Sequence, residues 1–147
     1  METGTYEIVS TRIFNHPLSK VYRAWTEPVL LAVWWGPKGF TNTFHEHDLR
    51  PGGRWLYTMH GPEKGNYENA CTFVEIRPEA FLKWTRQSQP YFNVEVTFEP
   101  VSETQTRVVF KMVFDDAELR RKINNFAPEK NEENFDRLEG VLQDMVD

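Results

Sequence analysis

Two acidic side chains that could share a proton stand near the middle of the chain. Glu46 and Asp48 lie two residues apart in a segment with strand-like alternation, so both should project from the same face. Neighbouring carboxylates raise one another's pKa, which suits paired acids to acid–base catalysis. Arg86 is expected on the same face of the sheet. An ion pair with Arg86 is the structural alternative, and it is the interpretation that we favour.

The partner strand of this segment follows from a turn predicted at the Pro-Gly pair of residues 51–52. A hairpin centred there places Phe44 opposite Met59 and Glu46 opposite Tyr57. A one-residue bulge in the turn would exchange the two faces. Without that bulge, the predicted inner face of the hairpin consists of Phe44, Glu46, Asp48, Trp55, Tyr57 and Met59.

Histidine and cysteine do not form a recognisable reactive site. His45, His47 and His60 are predicted on the outer face of the hairpin, and their spacing does not match a zinc signature. Cys71 is the single cysteine, which excludes an intramolecular disulfide and fits a reducing compartment. No histidine stands near it in sequence to activate the thiol. We therefore expect no metal and no cofactor.

Aromatic residues are more frequent than packing alone leads us to expect. The chain has five Trp, five Tyr and 11 Phe residues. Two tryptophans are adjacent, Trp34 and Trp35, and Gly36 and Pro37 follow them. Adjacent indoles typically line a deep wall or anchor a helix against a sheet. Simple core filling is the alternative for any one ring, but together the rings indicate a hollow and hence a binding function.

Alternation extends this wall along the later strands, and the last helix adds polar groups to it. Asn131 lies four residues before Phe135, and Asn134 lies four before Leu138, so both amides fall on the apolar stripe of that helix. Rings mixed with a few polar groups are typical of small-molecule pockets. The candidate ligand-binding residues are Trp34, Phe44, Glu46, Trp55, Tyr57, Met59, Cys71, Phe73, Trp84, Arg86, Phe92, Val94, Asn131, Asn134 and Phe135.

Hydrophobic periodicity predicts seven strands and a long final helix. The connections between strands are short, which implies antiparallel neighbours in a meander. The predicted fold class is α+β, with a curved seven-stranded antiparallel sheet wrapped around the C-terminal helix. Predicted strands are 6–14, 40–49, 54–60, 66–76, 81–87, 92–100 and 106–114. Predicted helices are 18–25, 28–35, a short one over 119–123 capped by Asp115 or Asp116, and 128 to about 146.

Composition narrows the possible partners. At 147 residues the chain is expected to form a single domain over residues 1–147. A net charge of −5 argues against nucleic acid and anionic membranes as partners. Residues 1–5 show neither a basic segment nor an apolar run, and no span approaches the ~20 apolar residues of a membrane helix. We therefore expect a cytoplasmic protein. Val109 and Val113 on the outer face could form the seam of a homodimer.

Seven motifs in this order resemble those of a known family. They are residues 24–28 (AWTEP), 34–37 (WWGP), 48–53 (DLRPGG), 59–62 (MHGP), 75–79 (EIRPE), 94–99 (VEVTFE) and 134–139 (NFDRLE). The chain resembles the SRPBCC superfamily and, within it, the family of activator of heat-shock protein 90 ATPase homologues. The resemblance covers residues 6–146 and implies a START-like, helix-grip fold with a hollow between sheet and helix. It implies no substrate, because the superfamily includes both enzymes and carriers.

Three functions follow from the residues and the resemblance. The first is a non-catalytic carrier or sensor that encloses a small, mostly apolar and preferably aromatic molecule. The second is a cyclase-like or hydrolase-like enzyme that uses Glu46, Asp48, Tyr57 or Arg86 as acid–base or orienting groups. The third is a co-chaperone that stimulates a heat-shock ATPase, as the family name suggests. We favour the first.

Overall fold

An antiparallel sheet and a long C-terminal helix enclose the core of the protein. The structure is a computed structural model that describes residues 6–145. Within those residues the chain forms seven strands and four helices. They are β1 (Tyr6–Phe14), α1 (Leu18–Thr26), α2 (Pro28–Trp34), β2 (Thr41–His47), β3 (Arg54–His60), β4 (Asn66–Arg77), β5 (Phe81–Arg86), β6 (Asn93–Ser102), β7 (Gln105–Phe114), α3 (Ala117–Asn124) and α4 (Ala127–Asp144).

The order of the strands in the sheet is nearly their order in the chain. It runs β1-β7-β6-β5-β4-β3-β2, so β2 to β7 form a meander and β1 lies beside β7. Every neighbouring pair is antiparallel. Because the connections within the meander are short, each strand pairs with the strand that follows it in the chain, and the two run antiparallel. The predicted α+β helix-grip fold is therefore confirmed, and the predicted strand ends differ by only a residue or two.

Helices α1 and α2 begin where the sequence predicts, whereas α1 ends one residue later than predicted and α2 one residue earlier. Pro17 precedes α1, whose apolar stripe buries Val21 and Trp25. Pro28 opens α2, a position where its missing N–H leaves no hydrogen bond unmade. The backbone turns extended directly after Trp34, which ends α2. The two helices thus bring a pair of buried tryptophans beneath the sheet's inner face.

Helices α3 and α4 follow the last strand. Asp116 caps α3, since its Oδ1 accepts a hydrogen bond from the Glu118 backbone N–H at 2.9 Å. Of the two predicted caps, it is therefore Asp116 that serves. Helix α4 begins one residue before the predicted Pro128, and its predicted end near Val146 lies outside the described residues.

The apolar stripe of α4 packs on the sheet and fills most of the space beneath it. Phe135, Leu138 and Leu142 are at most 2% exposed. The Phe135 ring meets Phe14 of β1 edge to face, with 5.6 Å between centroids. Burial of each such side chain contributes about 1.5–3 kcal/mol. This ring contact sets the distance between α4 and β1, and therefore the size of the space that remains between α4 and the rest of the sheet.

The turn between β2 and β3 forms at the predicted residues. The Gly53 backbone N–H donates to the Arg50 carbonyl at 2.8 Å, with Pro51 and Gly52 at the two central positions. Gly52 has φ +84°, as the third position of a type II turn requires. A Cβ on Gly53 would collide with the Asp48 carbonyl oxygen, so this glycine is needed for close backbone approach.

The strand register beyond this turn differs from the prediction. His47, not Asp48, pairs with Trp55, and a second shift between Phe44 and Glu46 places Phe44 opposite Tyr57. Because one extra residue in the turn exchanges the two faces, Glu46 points outward and is exposed. The second shift returns Phe44 to the inner side. The prediction that Glu46 faces inward is wrong, and the bulge considered as an alternative is the cause.

The outer face of the sheet carries the residues predicted to form a dimer seam. Val109 and Val113 of β7 are half-buried there, and Thr11 and Thr97 flank Val109 on the neighbouring strands. A homodimer stays a prediction. Of the helices in residues 6–145, none combines the length and the apolar character needed to cross a bilayer.

Candidate ligand-binding cavity

A cavity of about 290 Å³ lies between the inner face of the sheet and the start of α4. This volume is at the lower end of the range for small-molecule pockets and suits a molecule of about one or two rings. Most of the wall is aromatic or aliphatic, with a few polar groups. The lining residues are Trp35, Gly36, Pro37, Tyr57, Met59, Asn69, Trp84, Arg86, Pro90, Phe92, Val94, Phe110, Met112, Phe126, Lys130, Asn131 and Asn134.

The two adjacent tryptophans have different environments. Trp34 is fully buried, packs edge to face on Trp25 at 4.7 Å, and donates from Nε1 to the Ala24 carbonyl at 2.9 Å. Trp35 has left the helix, with φ −66° and ψ 130°, and lines the cavity. Its Nε1 donates to Tyr57 Oη at 3.1 Å. Trp34 therefore belongs to the packed core, and Trp35, absent from the candidate set, forms the cavity wall.

Glycine is required where the chain turns after Trp35. Gly36 has φ +102°, a conformation that side chains with a Cβ adopt only with strain. A Cβ there would stand 2.7 Å from the Cε of Met59, which also lines the cavity. The Gly-Pro step of the sequence thus lets the backbone itself form part of the wall.

A phenol and a guanidinium line the sheet side of the cavity, and a buried thiol lies beside them. Cys71 pairs with Arg86 across β4 and β5, and Tyr57 projects from β3 on the same face. Burial raises the pKa of Cys71 to about 11, against the opposing effect of Arg86. Burial also raises the pKa of Tyr57; the nearby thiol adds to the shift and Arg86 opposes it. At neutral pH the phenol and thiol keep their protons, and Arg86 is the charged member.

The Arg86 guanidinium is held by the connection between β5 and β6. Its Nε donates to the Pro90 carbonyl at 2.9 Å, and its Nη2 donates at 3.3 Å to Ser88 Oγ and to the Gln89 carbonyl. Its Cζ lies 5.3 Å from the centroid of the Phe92 ring. All four contacts are with uncharged groups, and together they fix the guanidinium at the cavity wall.

Two amides from the first turns of α4 also reach the cavity. Asn131 is 9% exposed, and its Nδ2 donates to Ser10 Oγ at 3.1 Å. Asn134 accepts a hydrogen bond at Oδ1 from the Gly36 backbone N–H at 3.2 Å. Both amides thus have hydrogen-bond partners within the protein, and both line the cavity. They tie the start of α4 to β1 on one side and to the turn after α2 on the other.

Arg137 fixes the connection between α2 and β2 to helix α4. Its guanidinium donates to the carbonyl oxygens of Val33, Gly36, Pro37 and Phe40 at 2.7–2.9 Å. Burial lowers its pKa from the ordinary arginine value. Five N–H groups in a rigid fork suit this role, which a lysine could not fill. A side chain outside the cavity therefore helps to hold the part of the cavity wall that this connection forms.

The structure divides the predicted ligand-binding residues, apart from the exposed Glu46, into two groups. Those that line the cavity are Tyr57, Met59, Trp84, Arg86, Phe92, Val94, Asn131 and Asn134. Those that are buried or half-buried in the surrounding core are Trp34, Phe44, Trp55, Cys71, Phe73 and Phe135. Alternation identifies the inner face of each strand, but it does not show which part of that face α4 covers.

The predicted carboxylate pair does not form. Glu46 is exposed on the outer side, and Asp48 accepts a hydrogen bond at Oδ2 from Arg50 Nε at 2.8 Å. The predicted ion pair of these acids with Arg86 is therefore wrong, because the register shift at the turn moves them away. Acid–base catalysis by Glu46 and Asp48 has no place in this cavity.

His47 occupies the inner position that was assigned to its neighbours. Its ring stacks on Phe44 at 5.8 Å and meets Trp55 and Phe73 edge to face. Its Nε2 is buried with no hydrogen-bond partner among residues 6–145. Burial lowers the pKa of His47 from its ordinary value. The prediction that His47 faces outward is wrong. Its inward position corresponds to the alternative in which the turn contains a one-residue bulge.

The other two histidines of the hairpin lie on the outer face as predicted. His45 Nε2 is 2.7 Å from Thr58 Oγ1, and His60 Nε2 is 2.8 Å from Thr43 Oγ1. In the part of the chain that the structure describes, no group of three His, Cys, Asp or Glu side chains comes together in a way that could hold a metal ion.

Several lining residues were absent from the candidate set. Phe110 and Met112 follow the same strand alternation as their neighbours and could have been included. The paired-tryptophan motif was a sufficient signal for Trp35. Asn69 of β4 also follows the strand alternation, two residues before Cys71. No pattern in the sequence places the remaining ones, because they belong to connections or to the start of α4: Gly36, Pro37, Pro90, Phe126 and Lys130.

Comparison with known proteins gives a family and a shared fold. The family model described as Activator of Hsp90 ATPase homolog 1-like protein matches residues 15–143. A solved protein from Nitrosomonas europaea is 25% identical, with 97% of both chains covered and a TM-score of 0.86. One from Rhodobacter sphaeroides is 20% identical, with 100% of this chain and 98% of that one covered and a TM-score of 0.87. One from Arthrobacter aurescens is 23% identical, with 97% and 88% covered and a TM-score of 0.83. None of the curated proteins matches.

Proposed function

Since this chain belongs to the Activator of Hsp90 ATPase homolog 1-like protein family, we propose that it binds a small, mostly apolar ligand between the sheet and α4. It acts as a carrier or sensor and leaves the ligand unchanged. The observation that carries this proposal is the cavity of about 290 Å³ with its aromatic wall. Stimulation of a heat-shock ATPase, the activity in the family's description, stays a prediction for this chain.

The packing of the wall supports a binding role. Trp84, Val94 and Phe110 are at most 5% exposed to solvent, yet each borders the cavity. Protein interiors are close-packed, and an unfilled apolar space costs stability because the lining atoms lose contacts. A ligand of matching shape would restore those contacts. The cavity is thus a place where binding is favourable without rearrangement of the fold.

The chemistry of the lining favours binding over acid–base turnover. Among the described residues that line the cavity, none is Asp, Glu or His. The raised pKa of Tyr57 keeps its phenol protonated at neutral pH, so it donates hydrogen bonds and does not act as a base. The lining can therefore orient a polar group on a ligand, but it offers no general base.

The decisive experiment is native mass spectrometry of the protein purified from its own host. We expect a co-purifying small molecule that is released on unfolding. Ligands identified in this way should also raise the melting temperature, because a ligand at 100 times its Kd adds about 2.7 kcal/mol of stability.

A cavity-filling variant tests whether the molecule lies in this cavity. Val94→Phe places a ring into the open space and should abolish ligand binding with the fold retained. Val9→Phe is the matched control, because Val9 is 50% exposed on the outer face of β1. It should bind as the wild type does. Retention of the ligand by a folded Val94→Phe protein would place the site elsewhere.

A further inference from the structure

The cavity carries a positive charge that the protein does not neutralise. Both charged residues in its lining, Arg86 and Lys130, are cations, although the chain as a whole has a net charge of −5. Lys130 Nζ lies 3.8 Å from Glu133 Oε1 and so has a carboxylate partner. No Asp or Glu within residues 6–145 lies within ion-pairing distance of Arg86, whose guanidinium donates hydrogen bonds to two carbonyls and a hydroxyl.

An arginine in this environment is unusual and informative. A charge that is partly removed from water is costly unless a counter-charge or good hydrogen bonds compensate it. Arg12 on β1 shows how the same protein treats a structural arginine: its guanidinium contacts the carboxylates of Glu132, Asp136 and Glu139 at 2.6–2.8 Å. Arg86 is fixed by neutral groups only, so its charge remains available to an anion inside the cavity.

A second donor stands beside Arg86. The Tyr57 hydroxyl oxygen already accepts a hydrogen bond from Trp35 Nε1 at 3.1 Å. Because the phenol is protonated, its own O–H can donate into the cavity, and Arg86 is near enough to influence it electrostatically. A guanidinium and a phenol O–H together match the oxygens of a carboxylate, for which arginine has a strong geometric preference.

We propose that the ligand is a ring compound with a carboxylate, its rings against Trp84 and Phe92 and its carboxylate on Arg86 and Tyr57. This inference rests on the proposed function and adds the charge class of the ligand. The aromatic wall supplies most of the buried area, and the cation decides between an acid and a neutral analogue of the same shape. An acidic protein selects anions here because their charge meets Arg86 in a confined, largely apolar space.

The test compares two probes that share a shape and differ in charge. Binding of 2-naphthoate and 2-naphthamide is measured by isothermal titration calorimetry at pH 7.5, with benzoate and benzamide as a smaller pair. We expect the wild-type protein to bind the acid of a pair at least tenfold more tightly than the amide, a difference of about 1.4 kcal/mol.

Variants then assign the preference to residues. Arg86→Met should weaken binding of the acid at least tenfold and change binding of the amide less than about threefold. Arg86→Lys, which keeps the charge and loses the fork, should retain part of the preference. Arg107→Met is the matched control, because Arg107 lies outside the cavity lining and pairs with Glu99 at 3.1 Å, and it should leave the preference intact. Tyr57→Phe keeps the ring and reduces acid binding, which covers the case in which Arg86→Met fails to fold.

The outcomes separate this inference from the proposed function. Equal affinity for acid and amide in the wild-type protein would overturn the carboxylate assignment and leave the cavity as a binding site. A preference that survives in folded Arg86→Met would also overturn it. If neither the naphthyl nor the phenyl pair binds at millimolar concentration, the assignment of a ring carboxylate is overturned, whereas the proposed function is overturned only if no small molecule co-purifies in native mass spectrometry.

Discussion

The packed interior around Trp34 and the cavity around Arg86 are built from the same sheet and the same helix, yet only one of them is filled. Around Trp34, rings from α1, α2 and β6 meet at centroid distances of 4.7–6.0 Å. Around Arg86, the wall faces a space of about 290 Å³. The difference begins on α4, where Phe135 fills its place against Phe14, whereas Asn131, one turn earlier, projects only a short amide.

This contrast shows how one fold keeps its stability and still leaves room for the proposed ligand. Alternation of strand residues supplies apolar side chains to both regions, so face assignment alone does not distinguish them. The distinguishing features are local. They are the amides at the start of α4 and the indole of Trp35, which directly follows the end of α2. The packed region stabilises the fold, and the cavity can therefore forgo some packing.

The adjacent tryptophans offer the sharpest test of this contrast and the largest expected effect. Trp34→Ala should lower the free energy of unfolding by about 3–5 kcal/mol, the cost of removing a large side chain from a filled core. Trp35→Ala should cost less, because its indole already borders empty space, but it should abolish ligand binding. Urea unfolding followed by circular dichroism and binding by native mass spectrometry measure the two effects.

The two substitutions are matched in residue type and differ by one position, so each serves as the control for the other. Equal losses of stability and of binding in both variants would remove the distinction between the packed region and the cavity.

The next prediction concerns two arginines that connect α4 to the rest of the protein, Arg137 of α4 and Arg12 of β1. Arg137→Met removes donors from the Val33 carbonyl of α2 and from three carbonyls of the α2–β2 connection, and should lower the free energy of unfolding by about 1–3 kcal/mol. It should also weaken ligand binding, because that connection carries Trp35 and Gly36 into the wall. Hydrogen exchange of residues 35–40 should accelerate in the variant and would report the loosened wall directly.

Arg12→Met is the control for this variant. Its three carboxylate partners are 41–69% exposed, so loss of the network should cost at most about 1 kcal/mol and leave binding unchanged. A binding defect in Arg12→Met as large as that in Arg137→Met would mean that general loosening of α4, and not the wall itself, is responsible.

Much of the fold could be predicted from the sequence because the signals are local. Proline and glycine mark the turns, and the spacing of Val21 and Trp25 gives one face of α1. The Pro-Gly turn after β2 forms where it was expected. The predicted strand register beside the turn was wrong. One additional residue in the turn moves every nearby side chain of β2 to the opposite face, and residue propensities do not reveal such a bulge.

The cavity was less predictable for a related reason. Tyr57, Trp84 and Arg86 could be assigned to the inner face by alternation, and they do line the cavity. Whether a given inner-face residue meets empty space or another side chain depends on tertiary packing. Phe135 and Trp55 were candidates on the same grounds, and both are buried among other rings.

The smallest expected effect concerns His47, the residue that the register shift brings inside. Its pKa is lowered by burial, so the folded protein takes up a proton there less readily than the unfolded chain, whose histidines titrate near 6.5. The stability contributed by a neutral His47 is fully present above pH 6.5 and is lost as the pH falls toward the folded-state value.

His47→Phe keeps a ring against Phe44 and Trp55 and removes this titration. The free energy of unfolding of the wild type, measured in urea from pH 8 to pH 5, should fall relative to that of the variant below pH 6.5. Above that pH the two curves should run parallel. Parallel curves over the whole range would mean that His47 is as accessible to protons in the folded state as in the unfolded chain. Its inward position, and with it the register that separates Glu46 from the cavity, would then be wrong.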